Sequence, residues 1–293
     1  MMIFYVMAVL VAAINGTGSL TQKLWQKKTM MIPHAGSVYI LMMSFFATVA
    51  FFVMNRFSVA VNRYTLICSM GFAICAILSN LLILLAMSQM SLLLCSVFQR
   101  GSTLLIWLWG VLVMHDSVQA VQVLAAVLMT ASILVPLYGN QRHVITKKAV
   151  LNGVAMIVNS AASSIILKYY TQNQQKMSDS CLCLYTNLLI LGYILMRAVL
   201  SKNRKEQMIA LSKTKRFQFY ILLGTVGSNL ATVLSMYVMR HIPISVYSVI
   251  SSAAGFVIVF INSKVIFREE CSGQELISFL FSAAAVLLML IKF

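Results

Sequence analysis

Acidic residues are scarce in this chain: six Asp and Glu stand against 22 Lys and Arg, for a formal net charge of +16. All six (Asp116, Asp179, Glu206, Glu269, Glu270 and Glu275) fall in loops or at helix ends, so no carboxylate lies deep in an apolar run. A proton-coupled exporter of organic cations normally needs such a group, to bind cation and proton in turn. Charge of either sign is thin, at 10% of residues, where a soluble domain carries about 25%. With 61% hydrophobic residues and a mean hydropathy of +0.91, that scarcity excludes a soluble protein and leaves no soluble domain long enough to matter. Further absences narrow the chemistry. There is no Gly-rich phosphate loop, no HExxH and no aspartate-rich diphosphate motif. ATP-driven transport and most membrane enzymology therefore lack their tools, and no cofactor is expected. The four histidines, His34, His115, His143 and His241, avoid mid-membrane positions. His115-Asp116 has no nucleophile nearby and reads as a helix-end turn. Six scattered cysteines form no CxxC pair and read as small buried hydrophobes, giving neither a metal site nor a disulfide framework. The basic excess does not point to nucleic acid, because Lys and Arg sit mostly in short stretches between apolar runs, where they set topology.

Those runs are the dominant positive feature. Ten can be marked, at roughly 2–22, 36–54, 65–86, 91–114, 118–138, 147–170, 180–200, 216–238, 243–266 and 274–292. About 20 apolar residues at 1.5 Å rise cross a bilayer core of roughly 30 Å, so the expected fold is all-α, a polytopic membrane protein of ten transmembrane helices. The start, Met1-Met2-Ile3-Phe4-Tyr5, lacks the basic region of a signal peptide and reads as a retained first helix. The fourth run carries one fixed charge, Arg100. Guanidinium stays protonated in proteins, and placing it in a span costs on the order of 2.5–3.5 kcal/mol on insertion scales. It is expected to face other helices or a solute pathway.

Polar residues recur at helical spacing in six of the runs. The first has Asn15, Ser19, Gln22 and Gln26; the third Ser69 and Asn80; the fourth Ser96, Arg100 and Thr103. The sixth has Asn152, Asn159 and Ser163; the eighth Thr225, Asn229 and Thr232; the ninth Ser248, Ser252 and Asn262. Such residues also join helices to one another, but stripes in six helices together predict one polar cavity lined by helices 1, 3, 4, 6, 8 and 9, with 2, 5, 7 and 10 at the periphery. The local cluster Tyr185-Thr186-Asn187 in the seventh suits an interface. The candidate substrate-binding residues are Arg100, Asn15, Asn80, Asn159, Asn229 and Ser252. Arg100 would hold an anionic group, the amides would hydrogen-bond polar ones, and Asp116 and Glu269 would cap helices five and ten.

The two halves echo each other. Ile14-Asn15-Gly16-Thr17-Gly18-Ser19 resembles Val158-Asn159-Ser160-Ala161-Ala162-Ser163, and His115-Asp116-Ser117 lines up with Arg268-Glu269-Glu270. Five helices per half is an odd number, so the second half would enter the membrane inverted, as in many secondary transporters. The expected repeats are 1–140 and 145–293.

With these features the chain resembles the ten-helix EamA-like branch of the drug/metabolite transporter superfamily over nearly its whole length. In the second half Pro243 opens a helix that ends in Phe267-Arg268-Glu269-Glu270-Cys271-Ser272, like the family's glutamate followed by a Ser or Thr that opens helix ten. Glu269 fits that glutamate. In the first half Asp116 takes its place and Gln119 replaces the Ser or Thr; Lys23 and Lys168 also look family-like. The resemblance implies transport of a small-molecule substrate through a central cavity and leaves the substrate open among amino acids, sugars, nucleotide sugars, phosphorylated metabolites and drugs.

The expectation is thus a secondary transporter of a small polar metabolite, anionic or zwitterionic, embedded in the lipid bilayer of the plasma membrane. It would not be an enzyme and would use no metal. A homodimer is left open. A membrane scaffold or receptor subunit is the first alternative and a membrane enzyme the second. Loops after odd-numbered helices hold most of the Lys and Arg, which puts them in the cytoplasm and both termini outside; the family resemblance implies the opposite.

Overall fold

Apolar runs bounded by charged and polar residues satisfy their backbone groups internally by coiling, and those of this chain do so wherever they are described. The computed structural model describes residues 2–29, 35–57, 61–89, 92–116, 119–139, 147–173, 177–200, 212, 214, 218–266 and 273–291. Among them are ten helices and no strand. They are α1 (Met2–Thr29), α2 (Ala35–Met54), α3 (Arg63–Gln89), α4 (Leu92–Leu112), α5 (Ala120–Gly139), α6 (Lys147–Gln172), α7 (Asp179–Leu200), α8 (Gln218–His241), α9 (Ile244–Val265) and α10 (Gly273–Ile291).

Over the described residues, seven of these helices (α1, α2, α3, α6, α7, α8 and α9) are long and apolar enough to cross a membrane. The apolar stretches of α5 and α10 are shorter, Ala120–Ser132 and Leu276–Ala285. Ile67, Ile74, Val158, Leu195, Val226 and Leu280 are exposed on the outside of the bundle. An apolar surface of that extent is unfavourable in water and fits an integral membrane protein.

The centre of the bundle is α9, most of whose span is buried. Its Val246, Val249, Ile250, Ala253 and Phe256 belong to the largest apolar cluster, with Tyr5, Ala8, Met236 and Val238 from α1 and α8. It packs on α1, α4 and α10. The other main pairings are α1 with α8, α2 with α7, α2 with α8, α3 with α6 and α7, α4 with α6, and α5 with α10. Small residues let backbones approach in such a seam: Thr17, Gly18 and Thr21 of α1 face Gly224, Gly227 and Ser228 of α8.

The start of α1 and the turns α2–α3, α4–α5, α6–α7 and α8–α9 gather at one end of the bundle, the terminal end. There Asp179 pairs with Arg240, the Tyr64 hydroxyl donates to the Tyr169 carbonyl at 3.2 Å and the Phe4 ring stacks on His241 at 4.2 Å.

Candidate functional site

A cavity of about 380 Å³ runs between the helices and is lined from α1, α2, α3, α4, α6, α8 and α9. The share of α2 corrects the expectation that this helix is peripheral: Tyr39 and Met43 face the cavity, an aromatic and an apolar side chain that no polar stripe could reveal. Lining residues at the terminal end, Met239, Ile244, Tyr247 and Ser248, are buried, whereas Met43, Asn80, Ile83 and Gln99 toward the opposite end keep partial exposure. By that contrast the cavity is the more closed at its terminal end, although Gln22 and Tyr39 toward the opposite end are buried as well.

Among the described residues Arg100 is the single charged one in this lining, and no carboxylate shares it. Its guanidinium lies against α9, where Nη1 donates to the Ser251 carbonyl at 3.2 Å. Nε is buried and has no partner among the described residues. Room for the group comes from Gly255, where an added Cβ would overlap the guanidinium. One turn on, the Thr103 and Ser252 hydroxyls bond to each other and join α4 to α9. A second unpartnered donor also faces the cavity: Gln22 is buried, and its Nε2 meets nothing within bonding distance. Many of the wall hydroxyls give their protons to their own helix. Ser228, Thr232 and Ser235 donate to the carbonyls of Thr225, Ser228 and Thr232 at 3.2, 2.9 and 2.7 Å, and Ser102, Ser163 and Ser248 behave alike. Such hydroxyls turn lone pairs to the cavity, while Arg100 and Gln22 turn N–H groups.

Of the six candidate binding residues, Arg100, Asn15, Asn80 and Ser252 line the cavity. Asn159 and Asn229 do not. Asn159 is buried, and its amide donates to the Cys75 carbonyl at 2.8 Å and to Ser79 Oγ at 2.7 Å, fastening α6 to α3. Asn229 donates to the Thr225 carbonyl of its own helix at 2.8 Å. Polar spacing marked six of the seven lining helices but not the rotation of each residue about its axis. Asn159→Leu is expected to lower stability by about 1–2 kcal/mol, the scale of buried polar contacts between helices in membranes, read as a lower melting temperature. An unchanged melting temperature would show those bonds to be energetically idle.

Among the described residues the Asp116 carboxylate bonds α9 and not α5. Its Oδ2 accepts the Ser245 backbone N–H at 3.2 Å and the Ser245 hydroxyl at 2.8 Å, which caps the first turn of α9. The cluster Tyr185, Thr186 and Asn187 is buried among the helices. Glu269 and the turn around it lie outside the described residues. Lys168, singled out near the end of α6, is almost fully buried, and its Nζ donates to the Met239 and Ile242 carbonyls at 2.6 and 3.1 Å. Among the described residues no three His, Cys, Asp or Glu side chains gather as a metal site would require.

No family model matches this chain, and no curated protein matches it. Its fold is similar to that of a solved structure described only as "Crystal structure of protein", with a TM-score of 0.62 over 97% of this chain and 98% of that one. Identity is 14%, so the likeness shows fold alone.

Proposed function

We propose that the chain is a secondary transporter of the EamA-like kind, carrying a small anionic or zwitterionic metabolite across the plasma membrane by alternating access. The observation that carries this reading is Arg100: a permanent cation facing a polar cavity, with one carbonyl partner, a bare Nε and, among the described residues, no carboxylate in the lining. At low effective dielectric a cation so placed attracts anions strongly, and the guanidinium fork matches a carboxylate or phosphate.

The ten-span, twice-five architecture, with repeats at 1–140 and 145–293, is part of the same proposal. Helix pairing supports it. Advancing each helix label by five around the ten exchanges α1–α8 with α6–α3, α1–α9 with α6–α4 and α2–α8 with α7–α3. The same step leaves α2–α7, α4–α9 and α5–α10 as they are. A bundle built from two copies of one five-helix unit has that property.

Purified protein screened against carboxylates, phosphates and zwitterions, with organic cations as controls, tests the reading. A ligand that binds only the folded state raises the melting temperature, with about 2.7 kcal/mol of stabilisation at a hundred times its Kd. Stabilisation by anions or zwitterions and not by cations is expected; stabilisation by cations alone would overturn the substrate class.

A further inference from the structure

Above the more closed end of the cavity the chain passes from α8 to α9 through Ile242 and Pro243 alone. This turn is gripped on both sides. On one side the Lys168 ammonium, from α6, binds the Met239 and Ile242 carbonyls at the end of α8, where the helix exposes its unpaired acceptors and favours a cation. On the other side the Asp116 carboxylate takes the Ser245 N–H and hydroxyl in the first turn of α9, where a helix favours an anion.

The chain is shaped to bring Asp116 there. At the end of α4, His115 adopts a left-handed φ of 53°, uncommon for a residue with a Cβ, and the Asp116 N–H closes back on the Gly110 carbonyl at 3.0 Å. Gly110 itself lets α9 come close: a Cβ there would meet Asp116 Oδ2 at 2.7 Å and Ile244 Cγ2 at 3.0 Å. Met239 and Ile244, the lining residues on either side of the turn, are buried by this arrangement.

We propose that Lys168 and Asp116 together form the lock on the terminal end of the cavity, one holding the end of α8 and the other the start of α9, so that releasing either lets the turn swing away and admit water from that side. Both grips join a charge to backbone or hydroxyl groups, which water can replace when the turn moves. The lock has a use only in the transport reading, but access can be read with no substrate present. A failed lock and a failed transport reading are therefore separate results.

The test is access to Ser248, a buried lining residue on α9. S248C is placed in the full-length protein in sealed vesicles, and a membrane-impermeant thiol reagent is added at the face that carries the termini. Labelling is counted above that of the same protein lacking S248C. Slow labelling is expected in the otherwise unchanged protein. With Asp116→Asn it should be roughly tenfold faster or more, the effect of losing a charge-assisted hydrogen bond from the shut state. Lys168→Met should act in the same direction. If Lys168→Met fails to accumulate, Asp116→Asn decides alone, since it keeps the shape of the side chain. Unchanged labelling in a folded Asp116→Asn protein overturns the lock. So does loss of folding in both variants, which would make the two residues plain structural supports.

Discussion

Arg100→Gln is expected to lower affinity for the stabilising anion by more than about a hundredfold, the effect of deleting one partner of a buried charge pair, while the protein still inserts and accumulates. Insertion should survive because the substitution removes the one fixed charge in the middle of α4 and with it the cost of burying that charge. The bond to the Ser251 carbonyl is lost, but Thr103 and Ser252 still join α4 to α9. Arg100→Lys should retain part of the affinity, since an ammonium is a point charge that cannot reproduce the planar two-pronged grip. Binding isotherms on the purified variants read both effects. If Arg100→Gln binds as tightly as the parent, the guanidinium is only a strut between two helices and the anionic-substrate reading fails.

Gly255→Ala should also weaken binding, by less, without touching the charge. The new methyl occupies the space of the guanidinium. The end of a long flexible side chain moves more cheaply than two helix backbones part, so Arg100 leaves its seat beside Ser251. Affinity is expected to fall roughly tenfold or more, the scale of one charge-assisted hydrogen bond, with a melting temperature near that of the parent. A pronounced fall in melting temperature with affinity unchanged would mean that the backbone yields and the seat is not needed.

The helices could be read from the sequence because their signal is local. Nine of the ten apolar runs end within a few residues of the observed helices, and only α1 runs well past its run, to Thr29, through polar residues such as Lys23 that a hydropathy reading counts against a span. Arg100 was equally plain, since one charge in a long apolar run must have a destination. The partners of polar residues were not legible. Nothing local to Asp116 points to Ser245, which lies in a different half of the chain. Asn159 has the same spacing whether it faces the cavity or bonds Ser79 on α3. Gln22 was visible on its stripe, but its unpartnered amide emerges only from the packing of α1 with its neighbours. The tyrosine of α2 was hidden because an aromatic in an apolar run carries no sign of which side it faces.

The hydroxyls of α8 have a mechanical consequence. Thr225, Ser228, Thr232 and Ser235 each bond a carbonyl of the preceding turn, and Asn229 shares the Thr225 carbonyl with Ser228. A carbonyl that divides its attention between an amide and a side chain holds the amide less firmly, and helices so decorated bend more readily. No proline interrupts α8, so its softness is spread over several turns and not gathered at a hinge. Any bending of α8 would be shared along its length, against α9, most of whose span is buried.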